Sequence, residues 1–178
     1  MRQRTRNPGK VMVVLIVLTI AVVAWSAPVK ELPRRNIPPQ IHSLASLDRI
    51  SIAFAIPLPD ELRRAGLSEQ EILAACAKEL SDAGFEIVAD RDAPQLRFVV
   101  IFATDDQDPQ QRGYALLATL DQAVRVQRLD RTLMLPTYVD LVVGLDPKAQ
   151  LKRQLKAGFD KLANNLIKRA RLADSTRK

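Results

Sequence analysis

Histidine, cysteine and paired carboxylates are the side chains that most often run acid–base, nucleophilic or metal chemistry. This chain of 178 residues has one histidine and one cysteine. His42 ends a proline-rich stretch and reads as a solvated linker residue. One histidine and one cysteine cannot assemble the usual zinc ligand set within a single chain. Cys76 falls on the apolar stripe of a helix, where a thiol packs as a small hydrophobe. The run Asp105-Asp106-Gln107-Asp108 invites a calcium reading, but counting from Asp105 the sixth position is Gln110 and the twelfth is Leu116. A calcium loop needs glycine and an acid there, so the run reads as a solvated turn. Carboxylates such as Asp121 and Asp140, on adjacent hairpin strands, are candidates for the acid–base pair of a hydrolase, with cross-strand or solvent-facing roles as the leading reading. Serine-nucleophile motifs and glycine-rich phosphate loops are absent, and the six glycines leave little room for one. No catalytic, metal-binding or cofactor-binding residue and no cofactor are expected.

The residues best placed to bind something are cations. Lys148, Lys152, Lys156, Lys161, Lys168 and Arg169 surround the apolar stripe of the last helix. Such a face is either ordinary solvated surface or a docking surface for an anionic partner. A basic residue near an anionic membrane contributes about 1 kcal/mol.

The elements that must position these residues follow from hydrophobic period. Ile50, Ile52, Phe54 and Ile56 alternate as a strand, stopped by Pro57 and Pro59. Ser68-Glu69-Gln70-Glu71 has the form of a capping box. A helix follows through Ile72, Leu73, Cys76 and Leu80, with Gly84 as its stop. Phe85–Val88 is a short strand. Gln95–Thr104 has apolar residues on both faces, which predicts a central strand covered on both sides. Tyr114–Leu129 carries Leu116, Ala118, Leu120, Val124 and Val126 in phase, with Gln122 as the polar exception. After Leu129-Asp130-Arg131 the chain returns through Thr132–Val143, placing Leu133, Leu135, Val139, Leu141 and Val143 on one side. Pro136 marks this as an edge strand or a bulge. Asp146-Pro147 reads as the N-cap and first residue of the last helix, whose stripe is Leu151, Leu155, Phe159, Leu162, Leu166 and Ala170. The fold expected is α+β, a mostly antiparallel sheet of four to five strands packed by two helices.

Ahead of this domain lies an address. Arg2, Arg4, Arg6 and Lys10 precede an uncharged segment, residues 11–29, the pattern of a secretory signal with its basic end in the cytoplasm. Two outcomes are open. Cleavage after Ser26 suits Ala24-Trp25-Ser26, and retention as a single-span anchor suits a segment close to the roughly 20 apolar residues of a span. No cysteine lies near it to carry a lipid. The organisation expected is a signal peptide or anchor over 1–26, a proline-rich tether over 27–46, a domain over 47–172 and a frayed basic tail over 173–178. Charge is divided the same way. Residues 1–35 hold seven bases and one acid, residues 36–146 ten bases and seventeen acids, and residues 147–178 ten bases and two acids. An exported chain rarely meets nucleic acid, so the basic ends point to anionic lipid, envelope polymer or an acidic protein.

Leu67-Ser68-Glu69-Gln70-Glu71-Ile72, Leu80-Ser81-Asp82-Ala83-Gly84-Phe85-Glu86-Ile87, Leu96-Arg97-Phe98-Val99-Val100, the hairpin around Gln122-Ala123-Val124-Arg125-Val126 and the terminal amphipathic helix together resemble small exported bacterial proteins of unassigned function. More loosely, the order is similar to accessory domains of cell-envelope lipoproteins. The resemblance spans about residues 47–172, implies a fold and a compartment, and brings no catalytic residues. The function expected is a non-enzymatic binding or accessory domain of the cell envelope, in the periplasm or on the outer side of the inner membrane, reaching the membrane through residues 11–29 if these are not cleaved. The alternatives are a carboxylate-based hydrolase and an assembly subunit that pairs through an edge strand.

Overall fold

The computed structural model describes residues 38–175, apart from Arg91, residues 105–107 and Pro109. The signal-or-anchor segment, most of the tether, three residues of the acidic run and the last three residues lie outside the described residues. Among the described residues no helix is long and apolar enough to cross a membrane.

The elements in order are α1 (Pro39–His42), β1 (Arg49–Phe54), α2 (Asp60–Arg64), α3 (Glu69–Asp82), β2 (Glu86–Ile87), β3 (Gln95–Thr104), β4 (Gln111–Val126), β5 (Arg131–Pro147) and α4 (Leu151–Ser175). The sheet order is β2-β1-β3-β4-β5. Three long strands, two of them joined by a hairpin, make the antiparallel half. The other half is parallel: β1 pairs with β2 on one side and with β3 on the other. The sheet is therefore mixed rather than mostly antiparallel. The cause is α3, which carries the chain back along the sheet so that Glu86 enters beside Arg49, as a helical crossover between parallel strands must.

α3 begins as its sequence dictates. Ser68 Oγ accepts the Glu71 backbone N–H at 3.4 Å. Glu71 does not return the bond; the neighbouring carboxylate of Glu69 instead accepts Leu58 N–H at 2.7 Å and ties the preceding loop to the helix. Gly84, at φ +103°, supplies the left-handed residue after the helix, and Phe85 N–H donates back to Leu80 O at 3.0 Å.

Helix α1 lies inside the stretch read as tether. Leu44, just after it, is fully buried, and Asp174 Oδ1 accepts Ser46 N–H at 2.9 Å. An apolar residue followed by a backbone donor docks on α4 once that helix is present. α4 in turn runs to Ser175, with Ala173 buried.

The start of α4 differs from the expectation. Asp146 is not an N-cap. β5 continues through Pro147, a 3₁₀ turn over Lys148–Gln150 follows, and α4 starts at Leu151. Asp146 faces Tyr114 instead, and its Oδ2 accepts the phenol O–H at 3.0 Å.

α3 and α4 run side by side in the same direction on one face of the sheet. Gly66 meets Lys152 at one end, and Asn164 Nδ2 donates to Glu79 Oε2 at 3.4 Å farther along. The core lies between this helical layer and the inner sheet residues Leu96, Phe98, Leu116, Ala118, Leu120 and Tyr138. Phe159 of α4 meets Phe98 edge-on at 5.4 Å between ring centroids and Phe54 at 5.8 Å.

Candidate functional site

Two surfaces stand out, on opposite sides of the two layers. The first is the exposed side of α4. Of the six cations singled out from sequence, the structure does not make one cluster. Lys161 and Lys168 are exposed on its outer side. Lys152 and Lys156 turn toward α3, where they line a cavity of about 260 Å³ floored by Leu67, Ile72 and Phe159. Lys148 sits in the 3₁₀ turn. Arg169 is half-buried against β5, its guanidinium carbon 5.3 Å from the Tyr138 ring centroid, a cation–π contact.

Two residues join Lys161 and Lys168 that the sequence reading missed, Arg153 and Arg171, both exposed. They are 18 residues apart, which at 3.6 residues per turn returns to the same side of the helix about 27 Å along. The signal was there to be found by projecting every cation at 100° per residue. Counting lysines along the stripe did not reveal it. The acids of α4 are Asp160, which lines the cavity beside α3, and Asp174, which holds Ser46. Asp160 nevertheless stands seven residues after Arg153, about 20° from it around the helix, so an acid borders the outer stripe Arg153–Lys161–Lys168–Arg171 on the side facing α3.

The second surface is the outer side of the sheet. β3 was expected to be covered on both sides, but among the described residues helices cover only one, and Ile101 is 55 % exposed. β5 departs further. Its ladder with β4 slips between Leu120 and Asp121: Leu120 pairs with Tyr138, Asp121 with Pro136. Thr137 is the extra residue of a bulge. Its hydroxyl meets Leu120 O at 3.2 Å and Gln122 Oε1, which explains the polar exception in β4. The bulge reverses the alternation. Leu133 and Leu135 share the face of Val124 and Gln122, whereas Val139, Leu141 and Val143 pair with Thr119, Leu117 and Ala115 on the outer face. The five residues expected on one side are split between two. Pro136 sits at the bulge of an edge strand, where the sequence put it.

The same pairing separates the candidate carboxylates. Asp121 lies toward the outer face and is only 7 % exposed; its Oδ2 is 2.9 Å from Arg97 of β3. Asp140 lies on the inner face, where its Oδ2 accepts Asn165 Nδ2 at 2.8 Å and Tyr138 O–H at 3.3 Å. On opposite faces they cannot act on one substrate. Asp140 and burial together push the Tyr138 phenol up, burial most. His42 is exposed at the end of α1. Among the described residues no three His, Cys, Asp or Glu side chains could hold a metal ion.

Cys76 is buried in α3, and burial, then Glu79 and Asp160, push its thiol up to about 12 from 9.0. This sets a pH dependence. In the unfolded chain the thiol ionises near 9.0, while the folded chain keeps the proton until about 12. Between these values the unfolded state binds fewer protons, so stability falls as pH rises. The Cys76 contribution is fully present below 9.0 and is lost toward 12. Urea unfolding across this range should show a declining midpoint, and Cys76→Ala should flatten the decline. An equal slope in both proteins would count against the thiol as its source.

No family model matches the chain, and no curated protein does. Among solved structures, the chain is similar to a minor lipoprotein from Acinetobacter baumannii, with a TM-score of 0.40 and 13 % identity over 75 % of this chain and 95 % of that one. It is also similar to the rare lipoprotein B from Shewanella oneidensis, with a TM-score of 0.37 and 14 % identity over 67 % of this chain and 91 % of the other.

Proposed function

We propose that the chain is an exported, non-enzymatic accessory domain of the bacterial cell envelope that docks on anionic lipid headgroups through the outer side of α4. The observation that carries the reading is the row of four exposed cations Arg153, Lys161, Lys168 and Arg171 along one side of a helix whose other side is fixed in the core. Cations held on a rigid helix keep their spacing without further ordering cost, and each contributes about 1 kcal/mol near an anionic surface. The basic, then apolar, N-terminal segment supports the compartment. Lys156 at the edge of the stripe and Lys148 before α4 extend the positive surface.

The test uses residues 37–178, which form one compact unit with the core described above, and vesicles with and without anionic lipid. Reversing Lys161, Lys168 and Arg171 to Glu removes at least about 3 kcal/mol of attraction, so binding to anionic vesicles should fall by more than about a hundredfold. Wild-type binding should weaken steeply with salt. Equal binding of the reversed variant, or of wild type to neutral vesicles, would sink the reading.

A second reading, an assembly subunit, is favoured by β5. It lies at the edge of the sheet, and between Pro136 and Pro147 it carries no proline and no lysine, the devices that usually guard an edge.

A further inference from the structure

The outer face of the sheet is built in rows across three strands. Val99, Leu117 and Leu141 form one row; Ile101, Ala115 and Val143 the next; Ala103, Gly113 and Leu145 the third. None of these nine positions is charged. At one end Thr119 and Val139 continue the face, and Arg97 is spent on Asp121. Val143 and Leu145 are 70 % and 69 % exposed. With Ile101, Val139 and Leu141 they open an apolar patch on the order of 500 Å², within the ~300–600 Å² of the largest patch on an ordinary monomer and most of the ~800 Å² per partner of a standard interface.

We infer that this face packs against the same face of a second copy of the chain, as two sheets of a sandwich related by a two-fold axis. Three observations select that occupant. First, shape: Ala115 and Gly113 make a trough along β4, flanked by Ile101 on β3 and by Val143 and Leu145 on β5. A two-fold axis sets the Val143–Leu145 ridge of one copy in the trough of the other, the interdigitation that aligned sheets use at about 10 Å spacing. Second, charge: the chain carries a formal +7, and an uncharged face lets two copies meet without opposing like charges or burying an unpaired one. Third, composition argues against lipid. A surface that enters a bilayer interface combines aliphatic groups with Trp, Tyr, Lys or Arg; this face has none of them beyond the paired Arg97. The basic stripe of α4 lies on the other side of the molecule, so docking there leaves the sheet face pointing away from the membrane. The inference does not rest on that docking.

The test is cross-linking of the full chain in membranes. Cys76 is buried, and its raised thiol pKa keeps it unreactive at neutral pH, so single cysteines can be read against a quiet background. Val143→Cys and Ala115→Cys probe the face, and Lys161→Cys on α4 is the control. A bismaleimide that bridges about 10 Å, the spacing of packed sheets, should give covalent dimer at both face positions several-fold above the control. Adding Leu141→Lys to Val143→Cys should abolish the dimer, with circular dichroism confirming that the fold is kept. Dimer no greater than the control at both face positions overturns the proposal, whether or not Leu141→Lys folds. A monofunctional maleimide then tells why: a blocked Val143→Cys means that lipid or another protein covers the face, and a freely labelled one means that nothing does.

Discussion

A chain carrying Phe159→Ala should lose about 3–5 kcal/mol of stability, the range for truncating a buried aromatic. The residue is 2 % exposed and joins the two layers. Its ring meets both Phe98 and Phe54 edge-on, and Phe54 and Phe98 are direct partners across β1 and β3. One truncation therefore removes two aromatic contacts, worth ~0.5–1.5 kcal/mol each beyond their buried area, and opens a void under the parallel half of the sheet. At ~3 °C per kcal/mol for a domain near this size, Tm should fall by about 10–15 °C. Phe159→Leu refills most of the volume and should cost less than half as much. A loss of under ~1 kcal/mol for Phe159→Ala, in the range of surface substitutions, would mean that the ring does not hold the layers together.

Gly144→Val should cost about 2–4 kcal/mol for a different reason. Gly144 lies directly opposite Tyr114 in the β4–β5 ladder, and the Tyr114 ring covers it so closely that an added Cβ would clash with its Cζ and Oη. Valine otherwise suits a strand well, so propensity predicts a gain. The steric term outweighs it. The ring must leave its place, which costs ~1–3 kcal/mol as overpacking and about 1 kcal/mol more for the hydrogen bond to Asp146. A double-mutant cycle separates the terms. With Tyr114→Ala already in place, Gly144→Val should be close to neutral or favourable. If the cost persists without the ring, the explanation fails.

The order of strands and helices could be read along the chain wherever a local rule acts. Ser68 caps α3 and Gly84 ends it, because an N-cap hydroxyl and a left-handed glycine work through neighbours three or four residues away. The stripe of α4 from Leu151 to Ala170 was equally legible, since 3.6-residue periodicity is a local property. The errors share one cause. Asp146-Pro147 is a good N-cap signal, yet it was outcompeted by a ladder that Gln111 and Arg112 extend to Pro147 and Asp146 from the other strand. The phase of Val139, Leu141 and Val143 was misread because a single inserted residue, Thr137, reverses it. The bulge is set by its partners in β4 and was visible in the sequence only as Pro136.

The candidate surfaces divide in the same way. That the last helix is basic was plain, but Arg169 and Lys161 look alike as letters, and only packing sends one to Tyr138 and the other to solvent. The uncharged sheet face was hidden more completely. Val99 and Ile101 looked buried on both sides because a strand with apolar residues on both faces normally is.

By itself, the sequence determined the types of the long segments, the caps of α3, the basic character of the last helix, the buried unreactive place of Cys76 and the basic-then-apolar start of the chain. Each depends on composition or on spacing within one element. Only the tertiary structure decided that half of the sheet is parallel, that Asp121 and Asp140 lie on opposite faces, that four cations rather than six line the outer side of α4, and that among the described residues one side of the sheet carries no helix. Those outcomes depend on which strands meet and in what register, and register is settled by partners far apart in the chain.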